Sequence, residues 1–251
     1  MDFLNICENK KTEIIFIGQA GFIIKSSNGQ LLAIDPYLSD CVERIEHDHD
    51  GYKRLLPKLF CPSELKFDVL ICTHFHRDHF DIDSVSILMN NPKTFLMCPS
   101  DCLNDVKDFD SRRVTIISPG TNIEIGDFNI HFVNCDHGTS APEAVGVIIE
   151  VDDKRILEVG DTCLRLDRKD EYLSFGIIDV LIAPINGAYG NMSECDCAKL
   201  SNVLNPNLTI PCHYGMFADH GGNPGLFIKE MRIKCPRNKF YLMRLGETLD
   251  L

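Results

Sequence analysis

The seven residues Thr73–His79 carry the strongest chemical signal in the chain. They read Thr-His-Phe-His-Arg-Asp-His, so three imidazoles and one carboxylate fall within six residues. Zinc, iron and manganese all accept imidazole and carboxylate ligands. In an extended or looped segment, side chains at i and i+2 project to one side, so His74 and His76 can share one metal. Asp78 and His79 can then turn toward a second metal, and the motif predicts a metal site.

A metal site also needs ligands from distant segments, and three ligand-type residues each follow a predicted strand. They are His137 after 128–134, Asp161 after 155–159 and His213 after 207–212. Loops at strand ends carry function on a rigid scaffold. Taken singly, Asp161 is equally an ordinary turn residue, and the two histidines are ordinary loop histidines. Their coincidence with the Thr73–His79 motif favours metal ligation.

The elements that must position these residues are mostly strands. The apolar run at 68–72, directly before the motif, is typical of a strand buried on both faces. Asn28-Gly29 predicts a hairpin within a meander that opens the chain. Ser193 and Asp196 form a capping-box signal for a helix. We predict strands at 13–18, 21–26, 30–35, 68–72, 94–98, 113–117, 122–125, 128–134, 145–151, 155–159, 179–183, 207–212 and 239–244, and helices at 81–90, 193–204 and 224–234. This order predicts an α/β chain with two packed sheets and helices outside them.

Composition excludes several classes of protein. The chain has 251 residues, 44% of them hydrophobic and 25% charged, which is typical of one globular domain over residues 1–251. The net charge of −12 argues against a nucleic-acid binder, which needs a basic face. The 12 cysteines contain no Cys-x-x-Cys pair, so we expect free thiols in a reducing compartment rather than a zinc knuckle.

The sequence also predicts a location. The segment Met1–Lys11 has no basic stretch followed by an apolar one, so we expect no targeting segment. The longest apolar stretch, Ile177–Ile185, contains Asp179 and falls short of the ~20 residues that span a bilayer. We therefore expect a cytoplasmic protein without a membrane partner. The sequence leaves open whether the protein forms a homo-oligomer.

With these motifs in place, the chain resembles the metallo-β-lactamase fold superfamily of metal-dependent hydrolases. The resemblance implies a four-layer αββα sandwich and a site with two divalent metal ions, zinc or manganese, with iron also compatible. Carried over residue by residue, it implies that His74, His76 and His137 hold the first metal, that Asp78, His79 and His213 hold the second, and that Asp161 bridges them.

Three further stretches resemble the L-ascorbate-6-phosphate lactonase-like branch of that superfamily. They are Gln19–Phe22 together with Asp35–Asp40, then 185–192, and then 211–217. This resemblance implies hydrolysis of a lactone or other ester of a small anionic substrate similar to a sugar phosphate. Asp78 is the expected catalytic residue, because its carboxylate can orient a metal-activated hydroxide and take up a proton.

Several other residues are candidates for contact with the substrate. Arg54 can bind a phosphate, but it can equally be a solvated surface residue. The loop histidine His220 can reach the mouth of the site. His47 and His49 imitate a ligand pair, but no Asp-His follows them and no strand precedes them, so they favour a solvated acidic loop. The substrate-binding candidates are Arg54, Asn186, Tyr189, Asn191 and Tyr214.

Two rival functions stay open. A phosphodiesterase on the same fold would use the same metals at a phosphorus centre, although the acidic charge weighs against nucleic-acid substrates. A protein that binds metal without turnover would keep the fold, but such proteins typically lose ligands. All seven ligand positions are filled here, which favours an enzyme.

Overall fold

The computed structural model describes residues 10–251 and contains two β-sheets that enclose an apolar core. The strands are β1 Glu13–Gly18, β2 Gly21–Lys25, β3 Leu31–Ile34, β4 Val69–Ile71, β5 Phe95–Pro99, β6 Val114–Ile117, β7 Asn122–Ile125, β8 Phe128–Asn134, β9 Val145–Val151, β10 Lys154–Glu158, β11 Val180–Pro184, β12 Leu208–Cys212 and β13 Thr248–Asp250. The α-helices are α1 Cys41–Ile45, α2 Ile82–Leu88, α3 Leu103–Val106, α4 Lys169–Leu173, α5 Glu194–Leu204 and α6 Pro224–Lys234.

Each sheet combines antiparallel and parallel strands. The first sheet has the order β13-β1-β2-β3-β4-β5-β6, in which β3 to β6 run parallel. The second has the order β12-β11-β10-β9-β8-β7, in which β10 to β12 run parallel. Parallel strands end at the same edge of a sheet, so the loops that follow β3, β4, β10, β11 and β12 can meet.

The apolar residues sort into layers, as the alternation of side chains along a strand requires. In β1, Ile14 and Phe16 join the core shared by the two sheets, whereas Ile15 and Ile17 face the layer that contains α2. A third cluster packs α5 and α6 on the outer face of the second sheet. The predicted αββα sandwich is confirmed.

Helix α5 begins where the sequence predicts. The Ser193 side chain accepts a hydrogen bond from the backbone N–H of Asp196, and the Asp196 side chain accepts one from the Ser193 backbone. This capping box satisfies backbone N–H groups that a helix start leaves without partners. The helix therefore begins at a fixed residue beside the loop that follows β11.

The predicted strand at 239–244 was wrong, because β13 is the last strand instead. Lys239 and Tyr241 bond to β12 only through Thr209, and Phe240 forms a single parallel bridge there. The next residue of β12 that faces this side is Pro211, which has no N–H to extend the ladder. The chain then turns back, and β13 pairs with β1.

Two further expectations concern the chain as a whole. Within residues 10–251, no helix has both the length and the apolar character needed to cross a bilayer. Every cysteine that the structure describes is a free thiol. Most of Met1–Lys11, for which we expected no targeting segment, lies outside the described residues.

Candidate metal centre

The candidate ligands come from loops that follow strand ends, as the motif spacing predicts. After β4, the N–H of Phe80 donates to the carbonyl of His76 at 2.7 Å. The resulting turn brings Asp78 and His79 back toward His74. His137, Asp161 and His213 follow β8, β10 and β12, and all three are buried.

Three imidazoles form a first ligand set. The distance from His74 Nε2 to His76 Nδ1 is 3.0 Å, and the distance from His137 Nε2 to His76 Nδ1 is 3.2 Å. Bonds of ~2.0–2.1 Å to a tetrahedral cation place ligand nitrogens about 3.3 Å apart. The three nitrogens are therefore spaced as ligands of one cation.

Asp78, His79 and His213 form a second set. The Oδ2 atom of Asp78 lies 3.7 Å from His79 Nε2 and 3.4 Å from His213 Nε2. All three side chains are buried, so no bulk water separates these atoms. Asp78 Oδ2 therefore lies near one nitrogen of each histidine, and the ligand atoms of His220 also lie close to those of Asp78 and His213.

Asp161 lies between the two sets. Its Oδ2 atom is 3.1 Å from His213 Nε2, 3.4 Å from His79 Nε2 and 3.9 Å from His137 Nε2. The Asn191 side-chain amide donates to the same oxygen at 2.7 Å. One carboxylate oxygen thus faces both groups of imidazoles, which is the placement that a bridging ligand needs.

One buried atom tests whether these residues fit a cation. His79 Nδ1 lies 2.6 Å from Asp35 Oδ2, which leaves Nε2 as the atom that faces the site. That Nε2 is buried and has no hydrogen-bond partner. A buried polar atom without a partner costs ~1–3 kcal/mol, and a bound cation would satisfy it. The donor set, rich in imidazole with two carboxylates, fits zinc, manganese or iron(II).

The pKa values separate the histidines of the first ligand set from those of the second. Burial lowers the pKa of His74 and His76, and lowers that of His137 to about 4, so the first set is neutral. Burial acts in the same direction on His79 and His213, but the carboxylates around them, Asp161 and Asp78 foremost, together outweigh it. The pKa of His79 lies well above its usual range, and that of His213 rises to about 9.

Both carboxylates are ionised. Burial alone would raise the pKa of Asp78 and Asp161, but the neighbouring His79 and His213 hold both values well below the usual range. Without a cation, two protonated imidazoles thus balance two carboxylates. Those protons must leave before His79 and His213 can bind a metal. The three histidines of the first set are already neutral at neutral pH and can bind a metal without losing protons.

Asp35 is a site residue that the sequence analysis left without a role. Its carboxylate accepts from the Thr73 backbone N–H at 2.7 Å and from the Thr73 hydroxyl at 2.6 Å, besides its contact with His79. Such a carboxylate fixes which ring nitrogen faces the metal. The position of Asp35 in the sequence could have indicated this role. Asp35 directly follows β3, which pairs in parallel with β4, the strand before the Thr73–His79 motif.

Gln19 and His220 are the other two residues brought to the centre. The Gln19 side-chain amide donates to Asp78 Oδ2 at 2.7 Å and lies 2.9 Å from His220 Nδ1. The His220 ring stacks on that of His213 at 5.0 Å. Gln19 and His213 adopt φ values of 56° and 60°, and non-glycine residues in this strained region cluster at functional sites.

The centre opens into a cavity of about 650 Å³, a usual size for a small-molecule site. Two of the substrate-contact candidates, Tyr189 and Asn191, line it, and so does His220. Asn186 does not line it, and its side-chain amide instead donates to the carbonyl of Ala188 within the loop.

Arg54 and Tyr214 also lie outside the cavity lining. The Arg54 guanidinium donates to the carbonyls of Leu56 and Ser39 at 2.9 Å each, so it fixes loop backbone. The Tyr214 hydroxyl donates to the carbonyl of Met243 at 3.3 Å. Both side chains therefore have structural partners in place of a substrate.

His47 and His49, whose spacing resembles that of a ligand pair, are both exposed. Their side chains retain 71% and 56% of their accessible surface, and each ring lies near a carboxylate, of Asp48 and Asp219 respectively. Neither residue belongs to the groups of converging ligand atoms found in the described part of the chain. Their surroundings match the solvated acidic loop that the sequence favours.

We therefore expect His47→Ala and His49→Ala to leave metal content unchanged, because neither ring reaches the two ligand sets. Elemental analysis of the two variants beside the parent protein measures this. Loss of one metal equivalent in either variant would show that part of the site has been assigned to the wrong histidines.

Comparison with known proteins extends these findings. The sequence profile of the β-lactamase superfamily domain matches residues 13–213. A UPF0173 protein of Pyrococcus abyssi is 28% identical over 226 residues, 88% of this chain and 90% of that protein. A UPF0173 metal-dependent hydrolase of Thermococcus onnurineus is 27% identical over 244 residues, 95% of this chain and 99% of that protein.

A solved structure shares the same fold. Igni18, described as a novel metallo hydrolase of Ignicoccus hospitalis, superposes with a TM-score of 0.75 at 21% identity. The superposition covers 96% of this chain and 98% of that one, so the likeness includes both sheets.

Proposed function

The chain belongs to the metallo-β-lactamase fold superfamily, and on that premise we propose that it is a metal-dependent hydrolase. One observation carries the proposal: the ligand atoms of the seven candidate residues, with those of His220 beside them, come together at one centre, and Asp161 Oδ2 faces both sets. A relative named as a metal-dependent hydrolase supports it over nearly the full length of both chains.

When bound, divalent cations lower the pKa of water to ~7 and polarise a carbonyl oxygen. The residues of this chain supply the rest. Neutral His74, His76 and His137 bind without first losing protons. Asp161 places its negative charge between the sets, and Asn191 fixes that carboxylate at 2.7 Å. Asp78 lines the cavity, so its carboxylate is placed to orient the attacking water and to take up a proton.

The charge of the centre favours an electron-rich group. Two divalent cations would bring four positive charges, and Asp78 and Asp161 would cancel two of them. The site would thus be electropositive within a protein of net charge −12. A carbonyl that develops negative charge during attack suits such a site.

For the substrate, we propose a lactone or other ester, as the lactonase-like stretches suggest. The same resemblance favours a small anionic, sugar-phosphate-like molecule. A phosphate group would need a cation of its own, and Arg77 is the only Lys or Arg among the described residues that line the cavity. The substrate test therefore includes an anionic substrate beside neutral esters.

A substrate panel tests this function. Protein purified without chelators is assayed on a sugar-phosphate lactone, an unsubstituted γ-lactone, a 4-nitrophenyl ester and a bis-aryl phosphodiester. We expect carbonyl hydrolysis that a chelator removes and that added Zn²⁺ or Mn²⁺ restores. Hydrolysis of the phosphodiester alone would instead establish the phosphodiesterase alternative. No hydrolysis by the metal-loaded protein would favour a non-catalytic member.

A further inference from the structure

The part of the cavity wall beyond the metal ligands is largely apolar. Val42 and Ile45 reach it from α1, and Phe75 reaches it from the loop after β4. Val42 also belongs to a hydrophobic cluster against which Tyr52 packs, so carbon surface continues from α1 to the short 3₁₀ turn Asp50–Tyr52. Ile45 keeps 40% of its surface exposed, so its side chain is accessible from the cavity.

Two tyrosines continue this wall. The Tyr52 hydroxyl donates to the Tyr189 hydroxyl at 3.0 Å, which joins two loops of the cavity lining. Both rings also lie edge-on to His220, at 5.6 Å from Tyr52 and 5.3 Å from Tyr189. Because the Tyr52 hydroxyl donates its proton to the Tyr189 hydroxyl, the rings offer mainly carbon surface to a ligand.

The charged groups of the lining do not favour an anion far from the metals. Arg77 is paired with Asp105 at 2.8 Å, and Glu46 adds a negative charge. A phosphate placed against this wall would lose water and gain no free cation in the described lining.

We infer that the substrate carries an alkyl chain of medium length beyond its ester carbonyl, and that the wall formed by Val42, Ile45, Tyr52, Phe75 and Tyr189 receives that chain. This inference rests on the proposed hydrolase function, because the carbonyl must lie at the metal centre. It selects an acyl ester or alkyl-substituted lactone over a phosphorylated sugar lactone.

The first experiment measures kcat/KM for 4-nitrophenyl esters of increasing acyl length, from acetate to octanoate, with the metal-loaded protein. Burial of each methylene is worth about a four-fold gain, so kcat/KM is expected to rise by roughly that factor per carbon until the wall is covered. A phosphorylated sugar lactone is expected to be a poorer substrate than an alkyl lactone. A flat series, or preference for the phosphorylated lactone, would overturn the inference.

A pair of variants assigns the effect to the wall. Ile45→Asn places a polar amide in the wall, and the octanoate-to-acetate ratio of kcat/KM should fall roughly ten-fold. Ile177→Asn is the matched control, because Ile177 is 71% exposed and lies outside the cavity lining. The control should keep the parent ratio. An unchanged ratio in Ile45→Asn would exclude this wall as the chain's binding surface.

A binding measurement separates this inference from the proposed function. Alkyl hydroxamates of the same chain lengths bind divalent cations and are not ester substrates. Calorimetry on the zinc-loaded protein should show tighter binding as the chain grows, and Ile45→Asn should remove that trend. Length-dependent binding without ester hydrolysis would support the wall as the binding surface for the alkyl chain and refute the proposed hydrolase function. Hydrolysis without length dependence in either series would support the hydrolase function and refute the role of the wall.

Discussion

Asp161→Asn is expected to lower turnover by roughly two to three orders of magnitude, the scale seen when one preorganised electrostatic group is lost at an active site. The substitution keeps the size of the side chain and removes its charge. Its Oδ2 is the atom that lies 3.1 Å from His213 Nε2, 3.4 Å from His79 Nε2 and 3.9 Å from His137 Nε2. No other described carboxylate lies within 4.0 Å of imidazoles from both ligand sets.

The two metal positions should respond unequally to this variant. The second position, at Asp78, His79 and His213, should lose more affinity, because the Asp161 charge is closest to its imidazoles. The first position keeps three neutral imidazoles. Metal titration and hydrolysis are measured in parallel, with Asp153→Asn as control, since the Asp153 side chain is 84% exposed. Two equally tight positions with near-normal turnover in Asp161→Asn would refute the bridging role.

Removal of the metal is expected to abolish hydrolysis and to lower the midpoint of thermal unfolding. An ion that binds only the native state stabilises it by about 4 kcal/mol when free ion exceeds the dissociation constant a thousand-fold. For a domain of this size each kcal/mol shifts the midpoint by about 2–4 °C. Each tightly bound ion should therefore contribute roughly 8–16 °C.

Thermal scans with and without chelator measure this shift, and readdition of metal tests its origin. Zn²⁺ or Mn²⁺ should restore both the midpoint and the activity. Ca²⁺ serves as control, because it prefers oxygen ligands and this centre is rich in imidazole. A midpoint and an activity that are both insensitive to chelation would rule out a structural and catalytic metal.

The proximity of the seven candidate ligands could be predicted from the sequence because their signal is local. His74, His76, Asp78 and His79 lie within one short motif, and the strands around them follow from apolar runs. His137, Asp161 and His213 are recognisable because a polar ligand directly follows an apolar strand. The structure brings these seven residues together at the ends of their strands.

The residues around the ligands are harder to predict, because their roles arise only from tertiary contacts. Gln19 follows β1 at the turn into β2, and nothing in its neighbourhood indicates a hydrogen bond to Asp78 59 positions away. Arg54 illustrates the opposite case, in which a plausible phosphate ligand instead binds loop carbonyls. The strand predicted at 239–244 fails for a similar reason, because Pro211 on its partner strand limits the pairing.

The central claim is that this chain holds a centre of two divalent cations at His74, His76, His137, Asp78, His79, His213 and Asp161. Elemental analysis of protein purified without chelators, followed by titration with Zn²⁺ and Mn²⁺, tests it most directly. The account predicts one to two equivalents as purified, and saturation at about two per chain. Protein that contains no zinc, manganese or iron, and that takes up neither added ion, would contradict it.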